Sequence, residues 1–461
     1  MTTPQDIIER ITSAAQYREC IVIVKRTSLA NLRWASSTLT TNGVITEQQI
    51  TAIAFVDLPG GVATGSLTLT DIGTASYDEL AAAAGRVAEA AGPAEDVADI
   101  LRDVQRGDWS AAHEPTSPDV FADFAPALGD MFRRSTSDAI ELFGYAEHSH
   151  TTTWVGSKGG LRLRHDQPSG RVEMTGKSHN RSRSTWEGRA TRDFSDVSVS
   201  DIDANIRQRL EWQSRVSAVA PGRYQTVAPS GAVADLMAYI LYTAPARDAF
   251  EGRSVFSKPG QTGATRVGEQ LSALPFNLYC DPHYAGLESI DFNVATQSGD
   301  FGSVFDNGRA IDRFNLLRAG RLEHLITSQA TSAVTGLPFA PAGDNLILDL
   351  PGGTGGLNDV IGTVQSGLLL TTLWYIRVVD APTFLLTGLT RDGIYEIKDG
   401  EVVGAVNNFR WNESPVDLLR RMSGAGATEI TATRELEQFT RTAAPAVVFD
   451  DFNMSTVSQA N

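Results

Sequence analysis

The stretch APSGAVADLMAYILYTAPARDAFEGRSVFS, Ala228 to Ser257, decides how the chain is read. Pro229, Ser230 and Gly231 break whatever precedes them, and the Ser230 hydroxyl is expected to cap a helix by accepting from backbone N–H groups of its first turn. Val233, Leu236, Met237, Ile240 and Leu241 then recur at the three-and-four spacing that gathers side chains on one helix face. The remaining surface holds Ala234, Ala238, Tyr239 and Tyr242 and is scarcely polar. A helix of this kind is expected to be covered on most sides, with a polar loop after it.

The stretch is set in a chain of 461 residues, 42% hydrophobic and 20% charged, which is long enough for two or three domains and ordinary for a folded protein. A net charge of −16 opposes binding to a phosphate backbone, which needs clustered cations to release counterions, so nucleic acid is not expected as a ligand. The only two cysteines, Cys20 and Cys280, are far apart and belong to no C-x-x-C motif. Neither a disulfide framework nor a cysteine zinc site is implied, and a reducing cytoplasm fits. The first residues, MTTPQDIIERITSAAQYRE, lack the basic start and apolar middle of a signal peptide. The longest apolar run, Gly367 to Ile376, is far shorter than the ~20 residues that span a bilayer, so no membrane segment is expected.

Outward from the central stretch, the pattern divides the chain into residues 1–110, 111–220 and 221–461. In the first part Thr3 and Asp6 form a capping box for a helix to Tyr17, and strands are expected over Cys20–Lys25, Leu29–Thr40 and Ile50–Val56. Thr41-Asn42-Gly43 between apolar runs reads as the hairpin turn. A helix capped by Ser76 and Glu79 runs to Ala91. The second part opens with a connection over Glu95–Thr116 and a helix over Pro118–Arg133, with Ser117 as cap and a kink at Pro126. Four short strands follow, Ala139–Tyr145, Thr151–Gly156, Leu161–Arg164 and Arg171–Thr175, and then a helix over Asp201–Trp212. After the central helix the pattern turns mainly to strands. The clearest hairpin joins Gly393–Ile397 to Glu401–Val406 across Lys398-Asp399-Gly400, and the last ~10 residues are expected to fray. The fold class is α+β: an N-terminal α/β layer plus a strand meander, followed by a mainly antiparallel β C-terminal domain with a buried helix.

Few residues offer catalytic chemistry. His148 and His150 stand two apart, so in a strand both point to one side, as a ligand pair does; among Ser149 and Thr151–Thr153 they read as solvated edge residues. His113-Glu114 begins like the zincin motif, but Pro115 breaks a helix and Ser117 stands where the second histidine belongs. Asp281-Pro282-His283 reads as a turn. The Gly352–Gly356 cluster lacks the lysine of a phosphate loop. Arg162 and Arg164 share a strand face next to His165 and match a peptide carboxylate, but read more simply as a solvated face.

Several stretches in order resemble the TldD/PmbA peptidase family. LRWASSTLTTNG, Leu32 to Gly43, looks like its N-terminal signature, and TTTWVGSKGGLRLRH, Thr151 to His165, is similar to its central strand pair. FDNGRAIDRFNLLRAGRLEHLITSQATSA, Phe305 to Ala333, looks like the family segment that leads from a turn into a hairpin. GLLLTTL, Gly367 to Leu373, and DGIYEIKDGEVVGAV, Asp392 to Val406, resemble its closing strands. In the TldD branch the helix corresponding to the central stretch carries H-E-x-x-x-H, two histidines for zinc and a glutamate acting on water. Setting that motif beside this chain places Met237, Ala238 and Tyr242 at the three positions, and none can hold zinc or act as the base. The resemblance therefore implies the PmbA, or TldE, branch: a cytoplasmic chain with no catalytic, cofactor or metal residues of its own, paired with a TldD-like zinc-bearing subunit and acting on peptides or unfolded protein. Two other readings stand beside it, an independent metal-dependent hydrolase using His148, His150 or His165, and a peptide-binding protein without a protease partner.

Overall fold

The computed structural model describes residues 2–70, 77–436 and 441–459. Its first sheet is organised by β1 (Glu19–Ala35), β2 (Thr38–Leu58) and β3 (Gly61–Thr70), joined to β4 (Gln105–Arg106), β5 (Glu141–Ser157), β6 (Arg162–Ser178) and β7 (Arg183–Thr191). The strand order is β3-β2-β1-β5-β6-β4, with β7 also on β6. Strands from both sides of residue 110 thus share one sheet, because β1 pairs antiparallel with β5 from Ile21↔Ser157 to Trp34↔Gly144.

Helix α1 (Pro4–Ala14) begins with the expected capping box, in which the Thr3 hydroxyl accepts from the Asp6 N–H and the Asp6 carboxylate accepts from the Thr3 N–H. With α2 (Tyr77–Ala91) it covers one end of the sheet, burying Ile7, Ile8 and Ile11 against Val22, Val24, Trp154 and Ala84. Ser76, the expected cap of α2, lies outside the described residues. Helices α3 (Phe124–Ser137) and α4 (Val199–Trp212) cover the other end, over Leu32, Trp34, Val172 and Met174. Ser117 caps a single 3-10 turn, Pro118–Phe121, and Pro126 falls in the first turn of α3, where it needs no donor and makes no kink.

One turn predicted from sequence is not a turn. Asn42-Gly43 lies inside β2, with Gly43 paired to Asn31, and the chain reverses instead at Ser36 and Ser37, whose φ values of 47° and 58° are those of a type I′ turn. That reversal is held from outside the hairpin: the Ser37 N–H donates to the Leu142 carbonyl at 2.9 Å, and the Leu142 N–H donates to the Ser37 hydroxyl at 3.0 Å. Likewise the expected four short strands are two long ones. Pro168 continues β6 opposite His150. On the side of β6 away from β5, β4 pairs only at Arg162–Leu163 and β7 only from Gly170 onward, so no strand on that side needs a donor from Pro168.

The second half forms two sheets. One is ordered β12-β11-β10-β13-β22-β21, from β10 (Asn277–Cys280), β11 (Phe314–Arg318), β12 (Arg321–Leu322), β13 (Leu346–Asp349), β21 (Glu429–Thr431) and β22 (Thr442–Ala444). The other is ordered β15-β16-β19-β23-β9-β14-β17-β18-β8, with β20 (Met422–Ala425) on β23. Its strands are β8 (Val216–Ser217), β9 (Gly222–Ala228), β14 (Ser366–Leu370), β15 (Leu373–Asp380), β16 (Leu385–Thr390), β17 (Ile394–Lys398), β18 (Glu401–Val406), β19 (Phe409–Glu413) and β23 (Val447–Val457). The hairpin across Asp399-Gly400 forms as expected. Of the residues expected to fray, 452–457 form the second half of β23, an interior strand in which Phe452 and Met454 are fully buried, and 460–461 lie outside the described residues. The architecture is mixed α+β, as the sequence implies. Among the described residues no helix is long and apolar enough to cross a membrane.

The central stretch becomes helix α5 (Ser230–Tyr242), which packs against both sheets of the second half. Leu278, Leu316 and Leu348 of one sheet and Leu368, Trp411 and Phe449 of the other share a core with Val233, Leu236, Met237, Ile240 and Leu241. Each such side chain contributes ~1.5–3 kcal/mol on burial. Ser230 is the first helical residue rather than the cap, and its hydroxyl donates to Glu429 at 2.6 Å.

Glycine substitutions distinguish the two hairpin readings. A Cβ on Gly65 would lie 2.2 Å from the Ala84 carbonyl oxygen of α2, whereas a Cβ on Gly43 meets nothing within 4 Å. Gly65→Ala is expected to cost about 1–3 kcal/mol by overpacking. Gly43→Thr is expected to stay within ~0.5 kcal/mol of the natural chain, since strands favour Thr and no turn needs glycine there. Urea unfolding midpoints measure both, and a large loss for Gly43→Thr contradicts the Ser36-Ser37 turn.

Candidate functional site

The three positions set against the zinc motif are brought together by α5, and the structure assigns each a packing role. Met237 and Ala238 are buried within the apolar core. Tyr242 is at the end of the helix with 40% exposure, its ring edge-on to Phe301 with centroids 5.9 Å apart. A thioether in an apolar core, a methyl group and a phenol do not make the nitrogen and oxygen donor set that zinc requires, so this helix does not fit the metal.

Sequence reasoning passed over the one carboxylate on this helix, Asp235. It is 1% exposed and accepts from the backbone N–H groups of Arg434 at 3.2 Å and Glu435 at 3.0 Å. Glu435 in turn accepts from the N–H groups of Tyr375 and Ile376, each at 2.8 Å. The two acids thereby tie α5, the segment after β21 and the start of β15 into one relay. Burial pushes the Asp235 carboxyl up to about 7, and the nearby Glu435 charge adds to this, against the three backbone N–H groups that favour its ionised form.

The histidines also differ from expectation. His148 is not a solvated edge residue: it is 6% exposed, with Nδ1 2.7 Å from the Thr116 hydroxyl and Nε2 2.8 Å from the Arg192 carbonyl oxygen. Both ring nitrogens are committed to the protein. His150 lies against His113, centroids 5.6 Å apart, and burial lowers the pKa of both rings. Among the described residues no group of three or more His, Cys, Asp or Glu side chains is placed to hold a metal ion. Arg164 is an ion-pair partner of Asp166 and stacks over Trp154, and Arg162 pairs with Glu9 and stacks over Trp109. They are not a solvated face, and both guanidinium groups are already engaged.

A cleft of about 750 Å³ lies between the first sheet and the segments 290–302 and 342–344. Its floor follows from strand alternation. The odd-numbered residues of β1 begin as Ile21 and Ile23, which with Val155 and Leu163 pack against Phe292, Val304 and Phe305. From Lys25 onward the same face turns polar, so the two surfaces part. Strand register then builds a grid across β1, β5 and β6: Lys25↔Thr153↔His165, then Thr27↔Thr151↔Gln167, then Leu29↔Ser149↔Ser169. Phe301, which holds Tyr242, also lines this cleft. Arg441 closes one side, donating to the Ser169 hydroxyl at 2.7 Å and pairing with Asp344. The signal in the sequence is the switch from Ile to Lys and Thr at every second position of β1, visible only if Glu19–Ala35 is read as one strand.

Comparison with known proteins agrees with this architecture. Residues 221–456, just over half of the chain, match the model of the PmbA/TldA metallopeptidase C-terminal domain. The chain belongs to the TldD/PmbA family. Among solved structures it resembles TldE from Thermococcus kodakarensis, with a TM-score of 0.75 at 15% identity, covering 97% of this chain and 99% of that one. A protein from Thermotoga maritima described as a candidate modulator of DNA gyrase gives 0.77 at 15% identity, over 98% and 100% of the two chains. A similarly described protein from Bacteroides thetaiotaomicron gives 0.74 at 13% identity, over 99% and 100%. At these identities the likeness is one of fold. No curated protein matches.

The buried acid on α5 makes a measurable prediction. With its folded pKa raised from 3.8 to about 7, Asp235 holds a proton in the folded chain that the unfolded chain has released. Its contribution to stability is therefore full below pH ~4 and is lost as pH rises toward ~7, at up to about 1.4 kcal/mol per pH unit. Asp235→Asn, which does not titrate, is expected to flatten the fall in unfolding free energy between pH 5 and 7. Parallel slopes for the two proteins in urea titrations exclude this assignment.

Proposed function

We propose that this chain is the non-metal subunit of a heterodimeric peptidase, working in the cytoplasm beside a TldD-like subunit that carries the zinc and performs hydrolysis on peptides or unfolded protein. The observation that carries this reading is α5. The helix is packed between the two sheets, and Met237, Ala238 and Tyr242, the residues that fall at the three positions when the H-E-x-x-x-H motif is set beside this sequence, all serve packing. The commitment of both His148 nitrogens to Thr116 and Arg192 weighs against an independent hydrolase built on that residue. Cys20 and Cys280 are buried free thiols, pushed up to about 12 by burial, which suits a reducing compartment.

In this arrangement the chain contributes surface rather than reacting groups. The hydroxyl-rich floor over β1, β5 and β6 offers donors and acceptors to an extended backbone, and the apolar residues above it offer contacts to side chains. The second subunit supplies the Lewis acid and the activated water.

Expression with and without an H-E-x-x-x-H relative tests the reading. The chain alone is expected to hold less than stoichiometric zinc and to cleave no peptide, and co-purification with the relative is expected to yield activity. Stoichiometric zinc in the single chain, lost together with peptidase activity in His148→Ala or His150→Ala, overturns it.

A further inference from the structure

We propose that the floor of the cleft binds the C-terminal end of an extended peptide, with its carboxylate on Lys25 Nζ and one of its backbone N–H groups on His165 Nδ1. That the ligand is a peptide rests on the function proposed above; that the site takes a carboxylate rests on the floor itself.

Lys25 is the only charged residue of the three-by-three grid over β1, β5 and β6. It is half-buried at the cleft, and no carboxylate of the described residues pairs with it. The other charges that line the cleft are Arg441 and Asp344, which pair with each other, and Asp300 on the exposed roof loop. Glu47 of β2, opposite Thr27 in the next row, accepts from Gln49 Nε2 at 2.7 Å, and an ammonium group held beside hydroxyls without an ion-pair partner among the described residues is a receptor for an anion. Thr153, directly between Lys25 and His165 in the register, adds a hydroxyl to the same row.

The state of His165 follows from its neighbours. The Gln167 amide nitrogen donates to the Pro168 and Glu288 carbonyl oxygens, both at 3.1 Å, which leaves its carbonyl oxygen 3.1 Å from His165 Nε2. That oxygen can only accept, so Nε2 carries the proton and Nδ1 presents a lone pair. Burial, the largest influence, holds the ring below its ordinary pKa and keeps it neutral at neutral pH. The row therefore has a cationic donor at one end and a neutral acceptor at the other, two strand spacings or ~9.6 Å apart. An extended peptide covers that span in about three residues, its carboxylate at Lys25 and an amide N–H at His165. Val294, Ala295, Phe301 and Ile311 supply apolar surface for its side chains.

Calorimetric titration of the full chain with acetyl-Ala-Ala-Ala-Phe as the free acid and as the C-terminal amide tests the site. The acid is expected to bind at least ~10-fold more tightly than the amide, a ratio consistent with one charge-assisted bond. Lys25→Met should reduce the ratio to near one with an unchanged melting temperature, Lys25→Arg should restore most of it, and His165→Ala should weaken acid and amide alike. Equal binding of acid and amide, or a preference that survives Lys25→Met, overturns the carboxylate site while leaving the peptide-handling role intact. Binding of neither probe also overturns the site, and the peptidase assay with the partner subunit then decides separately whether the proposed function stands.

Discussion

Burial of α5 on almost every side is the constraint on which the second half of the molecule depends. One helix supplies the contact surface for two sheets, so its residues must be apolar around the whole circumference rather than along one stripe. Loss of that helix would leave both sheets with an uncovered face. The one acid it carries, Asp235, is tolerated because its oxygens satisfy N–H groups of Arg434 and Glu435 that would otherwise be buried without partners. Leaving such groups unsatisfied costs ~1–3 kcal/mol each.

The first half obeys a different rule, that of alternation along long strands. Ile21 and Ile23 attach the sheet to the second half through Phe292 and Phe305, and the residues two and four places further on are Lys25 and Thr27. A face that begins as an interface becomes an open floor within one strand, and the cleft is the volume left between. Its polarity is set by hydroxyls already partly satisfied across strands, such as the Thr27–Thr151 contact at 2.9 Å. The floor is preorganised by the sheet ladder, so binding there need not order it further.

Much of the core was legible in sequence because period and burial coincide there. The helix at Ala228–Ser257, the capping box of α1 and the Asp399-Gly400 hairpin each carry a local signal that the tertiary structure reinforces. The failures share a cause. Asn42-Gly43 has a strong local preference for a turn, but Ser36 is held by Glu141 and Ser37 by Leu142, more than a hundred residues away, and those contacts set where the strand reverses. The last residues look like a fraying tail by position, yet β9 and β19 flank them and bury Phe452 and Met454. His148 reads as a solvated edge residue among serines and threonines until Thr116 and Arg192 close over both nitrogens.

By itself the sequence determined the buried helix, the α+β class and the apolar character of Met237, Ala238 and Leu241 on that helix, because helical period and side-chain chemistry are local properties. Only the tertiary structure decided that Lys25, Thr153 and His165 form one row and that Lys25 has no ion-pair partner among the described residues. Lys25 stands more than a hundred residues before Thr153 and His165 in the chain, and it is the register of β1 on β5 and of β5 on β6 that sets the three side by side.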